Sequence, residues 1–334
     1  MSADFAAEAA RPGLIWGFDI TDGVAQRIDA IGLLQTHASQ PPLRWLHLNL
    51  SDQRTRRWIA SAEMLAAPLR ELLLSTDGHA RVIAAGDDLG LILPDVERDF
   101  EKDHEDETRL GLTRIAVTPA LIVTARHHPV HSGDIVRERL EAGLVPTSAV
   151  EALELMLVCM AEAVRRRVDE ADDTVQTVED ALLHNGSSPN ARTFLTLRSL
   201  MVRLHRLLTG ARATLRRAEE ERIATPAFEL VINRAGHRLA SLDAELLSVQ
   251  SELRLLREEI DLQATQKTNQ NLYVLSIVTA LMAPATVVTG LFGMNTGGLP
   301  WAQHPYGTLI ATGFAIGSAA AVYLILRLAG FFRR

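Results

Sequence analysis

From Thr268 to Leu326 the chain contains no Asp, Glu, Lys or Arg. Two apolar segments lie inside that run, Leu272–Met294 and Tyr306–Leu326, joined by NTGGLPWAQHP at 295–305. Each is long enough to cross a bilayer core as a helix, which takes about 20 residues. Lys267 precedes the first segment and Arg327, Arg333 and Arg334 follow the second, whereas the connecting loop has no Lys or Arg. The positive-inside rule therefore predicts both flanks in the cytoplasm and the loop outside.

The remaining chain has the opposite character. Residues 1–267 hold all 41 acids and 31 of the 34 basic residues, a net charge of −10. An acidic soluble region argues against nucleic acid as a partner and suits a surface that meets cations. The N-terminal MSADFAAEAARPG has no basic region followed by an apolar core, so no secretory signal is expected. The single cysteine, Cys159, excludes an intrachain disulfide or CxxC metal site and reads as a buried structural thiol.

In residues 1–147, strand-like and helix-like segments alternate. Leu14–Ile20, Leu43–Leu50, Arg81–Ala85, Leu89–Leu93, Thr113–Val117 and Ala120–Thr124 read as strands. Gly86-Asp87-Asp88 supplies hairpin chemistry between the third and fourth. The alternation of LRWLHLNL predicts a strand buried on one face. Arg54–Leu74 reads as one or two helices and Ile135–Ala142 as another, giving an α/β domain. Ten acids lie between Asp87 and Glu107, without the ligand spacing of a calcium loop, and read as a solvated connector. His127, His128 and His131 are close together in HHPVH; with Pro129 between them and no cysteine near, a solvated turn is favoured over a zinc site. No nucleotide-binding loop, HExxH or GxSxG is present, which leaves no enzyme reading to build on.

Residues 148–267 are helical in pattern. Ser148 to about Leu183 recurs at three and four, Asn185–Pro189 breaks it, and Arg192 to about Arg222 follows. A third helix starts after Thr225-Pro226 and has no Gly or Pro from His237 to Ala283. Leu239, Leu242, Leu246, Val249, Leu253, Leu256 and Ile260 form its 3-4 seam. From Ala227 to Met294 it would extend roughly 100 Å, the length of a stalk that runs on into the membrane. The expected division is 1–147, 148–267 and 268–334.

Counting at coiled-coil period from Asn269 places Leu272, Ser276, Thr279, Ala283, Thr286 and Gly290 on one stripe of the first span. Hydroxyls in a span can bond to the backbone carbonyl one turn earlier; here they also lead to Asn295 at the outer end. Pro284 removes a backbone donor in the same region. Gly313 and Gly317 give the second span a small-xxx-small packing signal. Two spans cannot enclose a pore alone, so conduction would require an oligomer.

The layout, and Gly293-Met294-Asn295 at the end of the first of two C-terminal spans, resemble the CorA family of divalent-cation transporters. Thr296-Gly297-Gly298-Leu299-Pro300 is similar to the ZntB, zinc-transporting branch, and the loop lacks the acids frequent in magnesium-transporting branches. The resemblance implies an α+β membrane protein of the bacterial inner membrane, with an N-terminal cytoplasmic α/β domain, a long helical stalk and two transmembrane helices, assembled as a homopentamer. It implies that Asn295 rings the outer mouth and that Thr286, Ala283, Thr279, Leu272 and Asn269 face the pore below. No permanent cofactor is expected; zinc would be cargo, with proton coupling an open question. His304 is the nitrogen ligand near the mouth, and is read either as a metal collector or as an interfacial residue beside Trp301 and Tyr306. A magnesium or cobalt channel of the same fold and a non-conducting coiled-coil scaffold tethered to the bilayer are the alternatives.

Overall fold

The structure is a computed structural model that describes residues 13–28, 43–98, 111–185, 191–294 and 305–328. The chain divides into two compact units, Met1–Arg254 and Leu255–Arg334. The first is built on strands β1 (Leu14–Thr21), β2 (Val24–Ile28), β3 (Leu43–Asn49), β4 (Arg81–Ala85), β5 (Asp88–Asp95), β6 (Gly111–Val117) and β7 (Leu121–Arg126). They form one sheet in the order β2-β1-β3-β7-β6-β5-β4. Only β3 and β7 run parallel among these neighbours. The helices are α1 (Gln53–Ser61), α2 (Ala67–Leu74), α3 (His131–Glu141), α4 (Ala149–Asn185), α5 (Ala191–Glu220) and α6 (Pro226–Gly293), with α7 (Gly307–Leu328) in the second unit.

The sheet is buried on both faces, which corrects the one-sided reading of β3. Leu46 and Leu48 pack with Ile59, Leu65 and Leu69 from the α1–α2 side. Trp45 and His47 face the other way and are also fully buried. On that side the His47 ring stacks on Trp16 at 4.9 Å and lies against Gly133 of α3, where a Cβ would come within 2.8 Å of Nε2. Sequence alternation shows that two faces differ; it cannot show that each has a helix layer over it. The β1–β2 hairpin was not anticipated either. Its signal is Asp22-Gly23, the two-residue turn with positive φ at both positions that a tight hairpin needs. Gly86 takes φ +66° in the anticipated β4–β5 turn.

Two buried polar clusters tie the layers together. Asp95 at the end of β5 accepts hydrogen bonds from Thr113 Oγ1 at 2.6 Å, from the Val96 N–H at 2.8 Å and from Ser132 Oγ at the start of α3. Burial pushes its carboxyl above the usual carboxylate range, against the pull of those donors. In the helical layer, Asp243 of α6 is buried and lies 2.8 Å from His205 Nδ1 and 2.6 Å from Arg212 Nη1, both on α5. Leu239, Leu242, Leu246, Val249, Leu253 and Leu256 of the expected seam are buried, and α6 runs as one helix from Pro226 to Gly293. Cys159 is fully buried in α4, and its thiol is pushed up to about 12 by burial, so it is an inert core residue. The turn HHPVH crosses from β7 to α3. Among the described residues no group of His, Cys, Asp or Glu is placed to hold a metal. Most of the acidic run ending at Glu107 lies outside the described residues.

His47 gives this unit an acid sensitivity. Burial, with Arg126 and Arg137 nearby, lowers its pKa from 6.5 to about 3. The unfolded chain binds a proton near pH 6.5 that the folded chain refuses until about pH 3, so stability falls as pH drops through that window. The expected slope from this residue is about 1.4 kcal/mol per pH unit between roughly pH 6 and 4. Urea unfolding of the detergent-solubilised chain should show it, and His47→Gln should flatten the pH dependence by that amount. An unchanged slope would contradict the assignment.

Candidate functional site

The second unit contains the end of α6 and all of α7. Both helices are long and apolar enough to cross a membrane. Their large apolar side chains are exposed, including Leu275, Met282 and Val287 on α6 and Leu309, Ile316 and Ile325 on α7. Exposed apolar surface on this scale, around nearly the whole circumference, calls for lipid or further protein.

Each helix is half-covered along one face. On the apolar part of α6 the half-covered positions are Ile277, Ala280, Leu281, Pro284, Ala285, Val288 and Phe292; on α7 they are Gly307, Ile310, Ala311, Ala315, Ser318, Ala319, Val322 and Leu326. On each helix these positions gather on one side. At 100° per residue, Leu272, Ser276, Thr279, Ala283, Thr286 and Gly290 centre on the opposite side of α6. All six are exposed. Among the described residues, one side of the first span is covered and the hydroxyl-bearing side is open. Asn269, one turn before the apolar segment, is exposed too.

The hydroxyls have a specific polarity. Thr279 Oγ1 donates to the Leu275 carbonyl at 2.8 Å, and Thr286 Oγ1 donates to the Met282 carbonyl at 2.9 Å. With the proton committed to the backbone, each oxygen offers acceptor lone pairs outward. Thr289 uses its hydroxyl in the same way, toward the Thr286 carbonyl at 3.1 Å, but lies off the stripe. Pro284 sits inside the helix between the two stripe threonines and deprives the Ala280 carbonyl of its usual N–H partner. Gly313 and Gly317 lie away from the half-covered side of α7, with open space where a Cβ would be, so no packing partner meets them among the described residues. α6 ends at Gly293 and Met294 follows as a bend. Asn295 and His304 lie outside the described residues, as do Arg333 and Arg334.

The family model described as "CorA-like Mg2+ transporter protein" matches residues 42–328, through the sheet, the long helices and both spans. The chain belongs to the CorA family. It is thus a divalent-cation transporter with two C-terminal transmembrane helices, and not an enzyme. Among its relatives, the zinc transport protein ZntB of Yersinia pseudotuberculosis is 26% identical over 303 residues, covering 89% of this chain and 88% of the relative. The ZntB of Pectobacterium carotovorum is 25% identical over 286 residues, covering 84% and 85%. Among solved structures, full-length CmaX superposes with a TM-score of 0.74 at 24% identity, covering 95% of this chain and 98% of that one. The CorA magnesium transporter of Methanocaldococcus jannaschii gives 0.75 at 17% identity, with the same coverage. These two likenesses establish the fold.

The open face of α6 generates a labelling pattern. In a Cys159→Ala background, single cysteines at Ser276, Thr279 and Thr286 should react with a water-borne thiol reagent in membranes. Cysteines at Ile277, Leu281 and Val288 should react at least tenfold more slowly. Equal rates on the two faces would contradict a water-filled path along the stripe.

Proposed function

We propose that this CorA-family chain transports zinc across the bacterial inner membrane as a homopentamer. Five copies of α6 line the path with Leu272, Ser276, Thr279, Ala283 and Thr286, and Asn295 rings the outer mouth beyond Gly293-Met294. The observation that carries this reading is the position of the hydroxyl stripe, opposite the half-covered side of α6. A helix that only anchored a scaffold would have no use for outward acceptor oxygens on the side its own chain leaves bare.

The chemistry of the stripe suits an ion that keeps its water. Threonine acceptors and an Asn amide bond to the hydration shell; neither replaces it. The stripe has no carboxylate, imidazole or thiolate, so it lacks the nitrogen and sulfur donors that hold bare zinc tightly. Passage without strong binding favours release, since an ion must leave a site as readily as it enters. The zinc assignment is supported by the names of the ZntB relatives and by the acid-free loop at 295–305. Magnesium is the competing cargo, favoured by the same hydration argument and by the family's description. His304, if exposed at the mouth, supplies a nitrogen that collects zinc in preference to magnesium.

In this arrangement both termini are cytoplasmic and 1–147 and 148–267 form the cytoplasmic domain and stalk below the membrane part, 268–334. Flux into liposomes containing the purified chain tests the reading, with zinc and magnesium offered separately and with and without a pH gradient. Zinc entry is expected, and a dependence on the gradient would establish proton coupling. Magnesium entry without zinc entry would overturn the zinc assignment, and no flux of either would overturn transport by this path. Asn295→Ala should lower zinc flux at least tenfold, with the oligomer mass unchanged; full activity would remove the mouth ring from the mechanism.

A further inference from the structure

Arg114 lies on β6, an inner strand between β5 and β7, and is only 3% exposed. It sits opposite Ala125 of β7 and two residues before Ala116, so its side chain leaves the sheet on their face. Both alanines belong to the core under α1 and α2, with Ile59, Leu69 and Leu73. The guanidinium therefore enters the side that those two helices cover. Its Nη2 donates to the Ser75 carbonyl, just past the end of α2, at 3.0 Å. Nε and Nη1 are buried as well, and neither has a hydrogen-bond partner.

The surroundings add positive charge. Burial, with the Arg81 guanidinium nearby, pushes the Arg114 pKa down from the usual arginine value. His127, just past the end of β7, is held below its usual value by burial and by Arg114, His128 and Arg56 of α1. Arg81 is itself bonded to Asp77, 3.0 Å away, in the loop that joins α2 to β4. Among the described residues no carboxylate meets Arg114. Arginine keeps its proton in proteins, so the place stays cationic. Buried donors are met by protein, water or an ion; a water would satisfy the N–H groups and leave the charge unbalanced, whereas an anion answers both.

The fork is suited to one. Nη2 has a second N–H, so Nε and Nη1 each share an edge of the guanidinium with it. An oxyanion on either edge accepts two parallel bonds, as carboxylate and phosphate do from arginine. The loop at 75–80 lies over this place. Its Ser75 carbonyl touches Arg114, and a Cβ on its Gly78 would be 3.6 Å from Cδ1 of Leu112, on the same face of β6. Residues 76–79 of the loop are exposed.

We infer that Arg114 is the floor of a binding site for a small oxyanion of the phosphate class, beneath the loop at 75–80, with His127 and Arg56 at its rim. The anion enters as the loop lifts and takes one edge of the guanidinium. Enclosure of the nitrogens restricts the ligand to a small free anion. The site belongs to the first unit and does not rest on the transport reading.

The test titrates inorganic phosphate into the full-length chain in detergent, at constant ionic strength. Calorimetry should show one saturable site per chain, and the unfolding midpoint should rise by roughly 3 °C or more and level off. Sodium chloride in place of phosphate should give no saturating rise. Arg114→Gln should abolish binding while keeping or raising the phosphate-free midpoint, because it removes an unpaired buried charge. Arg56→Glu, on the exposed rim, should weaken binding at least threefold with the phosphate-free midpoint unchanged, and serves even if the first variant fails to fold. No saturable binding, or binding unaltered by either substitution, overturns the inference. Binding that appears only after the six acids between residues 99 and 107 are neutralised also overturns it, because the chain itself then pairs the guanidinium.

Discussion

Everything in the membrane half of this protein depends on one asymmetry: α6 has two sides, and its own chain covers only one. Ile277, Leu281, Ala285 and Val288 are half-covered on one side. Thr279 and Thr286 stand on the other, with their protons bonded to carbonyls of their own helix and their lone pairs turned outward. A span with this composition is stable in lipid, because the donors are satisfied. It becomes useful when several such sides converge, because a ring of acceptors in a shared aqueous path can bond to the water around a cation.

Passing a hydrated ion and gripping a bare one place opposite requirements on a pore. Stripping a divalent ion costs far more than a few neutral oxygens return, and ligands that did compensate would hold the ion too long. The stripe avoids that conflict by containing no charged or soft ligand. On the proposed reading, selectivity arises at the mouth, from Asn295 and the loop beyond it, and the driving force from gradients and not from affinity.

Much of this was legible in the residues. The charge-free run gave two spans, the 3-4 seam gave the long helix, and the stripe followed from period alone. The structure added what period cannot carry. LRWLHLNL alternates as a strand buried on one side would, yet both of its faces are covered, because the helices that cover them come from distant parts of the sequence. β2 (VAQRI) is an exposed edge strand with little apolar pattern, and Asp22-Gly23 is what marks its turn. That the hydroxyl stripe lies opposite the half-covered side of α6 depends on which residues the rest of the chain covers, and no pattern within α6 states that. Ion identity was illegible for a different reason: hydrated divalent ions present similar surfaces, and the hydroxyl stripe holds no charged or soft ligand that tells their bare forms apart.

The central claim is that the hydroxyl side of α6 faces its counterparts across a shared axis. Distances between spin labels on neighbouring copies, measured by pulsed electron resonance in lipid, test it most directly. Labels at Thr279 on α6 and at Ile316 on α7 lie on opposite sides of the pair. The account predicts that the inter-copy distances are shorter at Thr279 than at Ile316, with the two distance classes of a fivefold ring at each position. Longer distances at Thr279 than at Ile316 would place the stripe against lipid and contradict it.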